Sequence, residues 1–170
     1  MRGIATGTEI DLTQKTDQEI ANWIKNHEQL GKTEDALYRA LVEERARRSG
    51  DLLKPDVSIR YLIEAAKEER FTTYGALAEA NGVPWSKARH PMNGAGGHLD
   101  QLLDICHARG LPLLPSICVN QQGVETGRLE PSALDGFAKG VRRLGYVFTD
   151  AEAFLRECQE KCFAWGKGSG

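Results

Sequence analysis

Along most of this chain apolar residues recur at intervals of three and four, the spacing that brings side chains onto one face of a helix. Thr16-Asp-Gln-Glu19 has the form of a capping box, in which the two ends of the first turn satisfy each other's amides. Ile20, Trp23, Ile24 and His27 follow it at helical spacing, and Gly31 marks the stop. Thr33 is expected to cap a second helix carrying Leu37, Leu41 and Glu44 on successive turns. That helix ends in Arg45, Arg47 and Arg48, placed against the negative end of its dipole. Ser49-Gly50-Asp51 reads as a break, so residues 14–48 form a helical hairpin.

Pro55 and Asp56 open a third helix with Ile59, Leu62, Ile63 and Ala66 facing inward as far as Arg70. Thr73 caps a short helix over 74–81 closed by Gly82. Val83-Pro84 turns the chain into another short helix over about 85–93. Gly94-Ala-Gly-Gly97 reads as a joint, and His98–Arg109 as an amphipathic helix stopped by Gly110. Residues 113–120 form the best strand pattern, with Gln121-Gln122-Gly123 as a turn and a weaker returning strand over 124–129. Pro131-Ser132 opens a helix through Leu144, and Thr149-Asp-Ala-Glu152 is a second capping box. The last helix carries Phe154, Leu155, Cys158, Cys162 and Trp165.

The fold class expected from this pattern is α+β and mainly helical. A helical hairpin (1–55) precedes a winged-helix-like core with a small β-hairpin and two C-terminal helices (56–165). The final Gly-Lys-Gly-Ser-Gly (166–170) is expected to be a disordered tail.

Composition narrows the classes. The 170 residues are 41% hydrophobic and 27% charged, with a formal net charge of −2, an ordinary mix for a chain that buries one core. No run approaches the ~18 apolar residues of a membrane span. The opening Met-Arg-Gly-Ile-Ala-Thr-Gly lacks the apolar stretch of a secretory signal, and a cytoplasmic location with reduced thiols is the simple expectation. Charge is evenly spread: residues 72–127 hold Lys87, Arg89 and Arg109 against Glu79, Asp100, Asp104 and Glu125. A protein that holds nucleic acid by phosphate neutralisation usually carries a basic face. Folding would have to gather one from Arg45, Arg47, Arg48, Lys139, Arg142 and Arg143.

The words with most chemical content are Phe71-Thr-Thr-Tyr-Gly-Ala-Leu-Ala-Glu-Ala-Asn-Gly82, Leu111-Pro-Leu-Leu-Pro115 and Val119-Asn-Gln-Gln-Gly123. Two short helices joined at Gly82 make a helix-turn-helix pattern whose second helix, 85–93, is the natural reader of a groove. Residues 58–127 resemble the C-terminal DNA-binding domain of alkylguanine-DNA alkyltransferases and of the alkyltransferase-like proteins, which share the domain without its chemistry. The resemblance implies that Tyr74 meets a DNA phosphate and places Arg89 loosely where an arginine enters the base stack. It departs at the reactive position, where Ser116 follows Pro115 and no Pro-Cys-His-Arg occurs. Cys118 has no activating His beside it, so alkyl transfer is not expected. The whole chain is also similar to a group of small uncharacterised proteobacterial proteins, which implies a bacterial origin and adds nothing about activity.

Other constellations have plain structural readings. Cys158 and Cys162 lie one turn apart, as two metal ligands could, but they continue an apolar stripe with Phe154 and Trp165. Cys106, His107 and His98 lack a paired ligand spacing, and the 90–98 loop lacks the Lys-Ser/Thr ending of a phosphate loop. No metal, cofactor or catalytic residue is therefore expected. The expected function is a non-enzymatic module that contacts duplex DNA through Tyr74, Trp85, Lys87, Arg89 and Asn93. Two alternatives remain: a protein–protein adaptor or self-associating subunit using Trp23, Ile24 and Leu41, and an enzyme site assembled from His90, His98, Asn93 and Cys118.

Overall fold

The computed structural model describes residues 11–48, 52–93 and 96–169, and these are mainly helical. The break expected at 49–51 and the first half of the 94–97 joint lie outside the described residues. Helix α1 (Asp17–Gln29) opens on the capping box: Glu19 N–H donates to Thr16 Oγ1 at 3.1 Å, and Thr16 N–H to Glu19 Oε1 at 2.8 Å. Ile20 and Ile24 point inward from it. Helix α2 (Ala36–Arg47) buries Tyr38, Leu41 and Val42 completely. The hairpin's apolar face is thus consumed by the protein's own core. Ile24 and Leu41, two of the three residues of the adaptor reading, are buried, while Trp23 and Leu37 stay half-buried and Leu30 is exposed.

Thr33 does not cap α2. Asp35 precedes the helix, and Thr33 turns inward to donate its hydroxyl to Leu144 O at 3.0 Å. A threonine beside a buried carbonyl gains more by satisfying it than by capping a surface turn.

Helix α3 (Pro55–Lys67) is the central strut, with Ile59, Leu62, Ala65 and Ala66 buried among the elements around it. Strand β1 (Thr72–Thr73), helix α4 (Tyr74–Ala80), helix α5 (Trp85–Met92) and helix α6 (His98–Arg109) follow. Strand β2 (Cys118–Val119), helix α7 (Pro131–Arg143) and helix α8 (Ala151–Ser169) complete the chain.

The sheet differs from expectation. Strand β2 pairs in parallel with β1, Thr72 opposite Cys118 and Thr73 opposite Val119, and residues 124–129 form no strand. Pro112 and Pro115 cannot donate to a ladder, and the backbone over Leu114–Ile117 coils into a 3-10 turn. Residues 121–127 bond among themselves instead, with Gly127 N–H reaching Gly123 O at 2.7 Å. Gly123 lies so close under Arg128 that a Cβ there would stand 2.0 Å from its carbonyl oxygen. The β-hairpin is therefore replaced by a compact turn.

Two helix ends also shift. Asp150, not Thr149, caps α8, accepting Ala153 N–H at 3.1 Å. The stretch expected to be a loose tail continues α8 to Ser169. Its Gly166 is buried on the end of α3, where a Cβ would stand 2.5 Å from Ala66 O. Small residues let helix backbones approach this closely, and that contact holds the last turn in place.

The arginines do not gather into a basic face. Arg45 pairs with Asp104, and Arg47 and Arg48 pair with Glu44. Arg143 reaches Glu28 and stands 2.8 Å from Asp104 Oδ1, off the line of a hydrogen bond. Glu28 also accepts the Tyr38 hydroxyl at 3.0 Å, and burial holds its carboxyl above the usual range. Arg142 lies over the Phe148 ring, 4.2 Å from its centre, and Lys139 pairs with Asp135. No described helix is long and apolar enough to cross a membrane.

Candidate functional site

Thr73 fixes the start of α4 by accepting Ala76 N–H at 3.1 Å. Gly82, at φ +74°, turns the chain in the left-handed region that glycine enters without penalty. Val83 N–H closes back on Ala78 O, and Pro84 presets the backbone into α5. Ala88 and Met92 of α5 are fully buried, which fixes how the helix is rotated. At 100° per residue, Ser86 and His90 form its outward crest. Trp85, Arg89 and Asn93 follow one flank, and Lys87 stands on the other. All six are exposed. Pro91 has no N–H for the helix ladder, and α5 ends one residue later; the Asn93 side-chain amide donates to Arg89 O at 3.3 Å.

Residues 80–99 contain Lys87 and Arg89 and no Asp or Glu. Trp85 is 39% exposed and borders a hollow of about 330 Å³ lined also by Gly75, Glu79, Gly82, Val83 and Pro84. Tyr74 does not share the exposed face. Its ring is half-buried against the core, and burial, with Cys118 and Glu130 nearby, pushes its hydroxyl well above the ordinary tyrosine range.

The four thiols are all buried and free. Burial pushes Cys106 and Cys158 up to about 12 and Cys162 to about 11, and Cys118 higher still, so none is a ready nucleophile. Ser116 is fully buried and lies 3.5 Å from Cys162 Sγ. No group of three or more metal-ligating side chains occurs among the described residues.

Of the four residues of the enzyme alternative, His90 and Asn93 share the exposed surface of α5, whereas Cys118 and His98 are both buried. Cys118 lies in β2, His90 is exposed on α5, and His98 bonds elsewhere. His98 Nε2 is 2.7 Å from Ser58 Oγ, which also accepts Asn81 Nδ2–H at 3.0 Å. Asn81 Oδ1 accepts Lys54 N–H at 2.7 Å, and Asn81 Nδ2 also donates to Leu77 O, which fixes the orientation of the amide. Ser58 Oγ could accept from both neighbours, but it is fully buried and meets no acceptor for its own proton among the described residues except His98 Nε2, which assigns the hydroxyl proton to that bond. His98 is therefore neutral and protonated at Nδ1.

Sequence reasoning passed over Ser58 and Asn81. Each is one small polar residue on an otherwise ordinary helical pattern, and only the tertiary contact among α3, α4 and α6 gives them a partner. No protein-family model, no curated protein and no solved structure matches this chain.

Proposed function

We propose that this protein is a non-enzymatic module that lays α5 against duplex DNA, with α3, α4 and α5 acting as the helix-turn-helix unit of a winged-helix-like core. In this reading the turn over 121–127 would serve as the wing. The observation that carries this reading is the exposed surface of α5. Ser86 and His90 on its crest are hydrogen-bonding groups facing outward, and Trp85, Arg89 and Asn93 on one flank with Lys87 on the other can meet the two backbones of a groove. The groove is ~12 Å wide and accepts one helix. Residues 80–99 add no carboxylate to that surface, and Glu79, in the hollow beside Trp85, is the acidic group that adjoins it. Tyr74, half-buried, supports the element from behind.

With only two formal cations on the face, phosphate neutralisation involves about two contacts. Affinity then falls only about tenfold between 50 and 200 mM salt. The test is fluorescence anisotropy at low salt with labelled duplex and single-stranded oligonucleotides, comparing wild type with Arg89→Ala. Duplex binding that weakens by about tenfold in the variant, with an unchanged circular dichroism spectrum, supports the reading. An exposed arginine alters stability by less than ~0.5 kcal/mol, so loss of fold is not a confounder. Failure of the wild type to bind either oligonucleotide at high protein concentration sinks it.

A further inference from the structure

A second hollow, of about 450 Å³, opens on a different part of the surface, where α1, the end of α2, Leu52-Leu53, Pro91 and the start of α6 meet. Its wall is largely apolar, from Ile20, Ala21, Leu52, Leu53 and Pro91. Among the described residues its polar lining is Arg45, Arg48, His98, Gln101 and one carboxylate, Asp17, which Arg48 already holds at 2.9 Å.

Three independent features of that lining point to an anion. Helix α6 is twelve residues long and starts here with Gly97 as its cap and no side chain bonded as a cap, although Asp100 of its first turn accepts Gly96 N–H at 3.0 Å and offsets part of the positive end. Such an end attracts negative charge. His98, only 4% exposed, has its Nε2 committed to Ser58, so the hydrogen it carries is on Nδ1, and no hydrogen-bond acceptor meets that nitrogen among the described residues. The residue is covered almost everywhere, yet Nδ1 is not among the side-chain atoms sealed off without a partner, so this nitrogen opens on the hollow, where a ligand acceptor can meet it. Arg48 spends Nε on Glu44, Nη1 on Asp17 and Nη2 on Leu12 O, which leaves one N–H on each terminal nitrogen.

We propose that this hollow binds a small amphiphilic organic anion. Its charged oxygens sit at the start of α6 beside His98 and Arg48, and its apolar body lies along Ile20, Leu52, Leu53 and Pro91. The volume falls in the range of small-molecule sites, and a mostly apolar wall with a few convergent donors is their usual make-up. Of α5 the site uses only Pro91 and none of the six residues offered to DNA, so it stands or falls apart from the DNA reading.

The probe is 8-anilinonaphthalene-1-sulfonate, set against its neutral analogue N-phenyl-1-naphthylamine, with the folded full chain and fluorescence titration. The expected result is saturable one-to-one binding of the sulfonate, roughly tenfold tighter than the neutral compound, as a charge-assisted hydrogen bond provides. Ala21→Trp, an exposed helical position on the rim, should fill the hollow and abolish binding while the far-ultraviolet spectrum stays unchanged. His98→Gln should weaken the sulfonate about tenfold and leave the neutral compound unaffected. No saturable binding, equal affinity for the two probes, or sulfonate binding that survives Ala21→Trp would each overturn the proposal.

Discussion

Lowering the pH should destabilise this protein through His98 in particular, and the size of the effect follows from its surroundings. The ring is 4% exposed, accepts the Ser58 proton at Nε2, and burial lowers its pKa from the usual 6.5 to about 4. A group whose folded pKa is depressed binds its proton more readily in the unfolded chain, so acid favours unfolding. The stability it contributes is complete above pH 6.5 and is lost as pH falls towards 4. At about 1.4 kcal/mol per unit of difference, the loss is about 2 kcal/mol at pH 5 and about 3 kcal/mol once both states are protonated. The test is urea unfolding at pH 8, 6 and 5 for wild type and His98→Gln, whose amide can still accept from Ser58 but does not titrate. Glu28 and Asp100, whose pKa values burial raises, titrate in both proteins and cancel in the difference. The advantage of wild type over the variant should shrink by about 2 kcal/mol between pH 8 and 5. A difference that stays constant to within ~0.5 kcal/mol across that range would refute the neutral, Ser58-bound histidine.

Other substitutions test the packing. Asp104→Ala removes the 2%-exposed carboxylate shared by Arg45 and Arg143, and because Arg143 keeps Glu28 and both arginines reach solvent, chemical denaturation should show a loss of about 1–3 kcal/mol. Gly136→Ala and Gly166→Ala make the same change inside helices and should move the melting temperature in opposite directions. The open site at Gly136 gains up to ~1 kcal/mol, whereas Gly166 loses ~1–3 kcal/mol because the new methyl meets Ala66 backbone. Glu69 follows α3 at φ +53°, where a side chain is strained; Glu69→Gly should therefore stabilise by ~1 kcal/mol in the same assay, since the exposed ion pair it gives up to Lys167 is worth little.

The helices were legible because each is announced locally. Thr16-Glu19, Pro55, Thr73, Gly110 and Pro131 start or stop their elements within a few residues of where the pattern puts them. What the pattern misplaces depends on distant partners. Thr33 looks like a cap until Leu144 O is beside it, and residues 113–120 look like half of a hairpin until Thr72–Thr73 takes that role. Gly166 reads as tail because glycine has no side chain to show packing; only its nearness to Ala66 reveals that it is a contact. The exposure of Trp85, Lys87 and Arg89 follows from the buried Ala88 and Met92, which an amphipathic reading can find. The burial of Tyr74 and the Ser58–His98–Asn81 linkage cannot be found that way, because they join three elements that are separated in the chain.

The parallel pairing of β1 with β2 also bears on the order in which the chain assembles. It ties Thr72 and Thr73 to Cys118 and Val119, so residues 74–117 form a loop clasped at both ends. Closing such a loop costs chain entropy before its few ladder bonds return anything, whereas α4, α5 and the turn between them form from near neighbours. The clasp is therefore a late event that secures a unit already built. Its two-residue length means that the placing of α5 rests on the packing of Ala88 and Met92 rather than on ladder bonds.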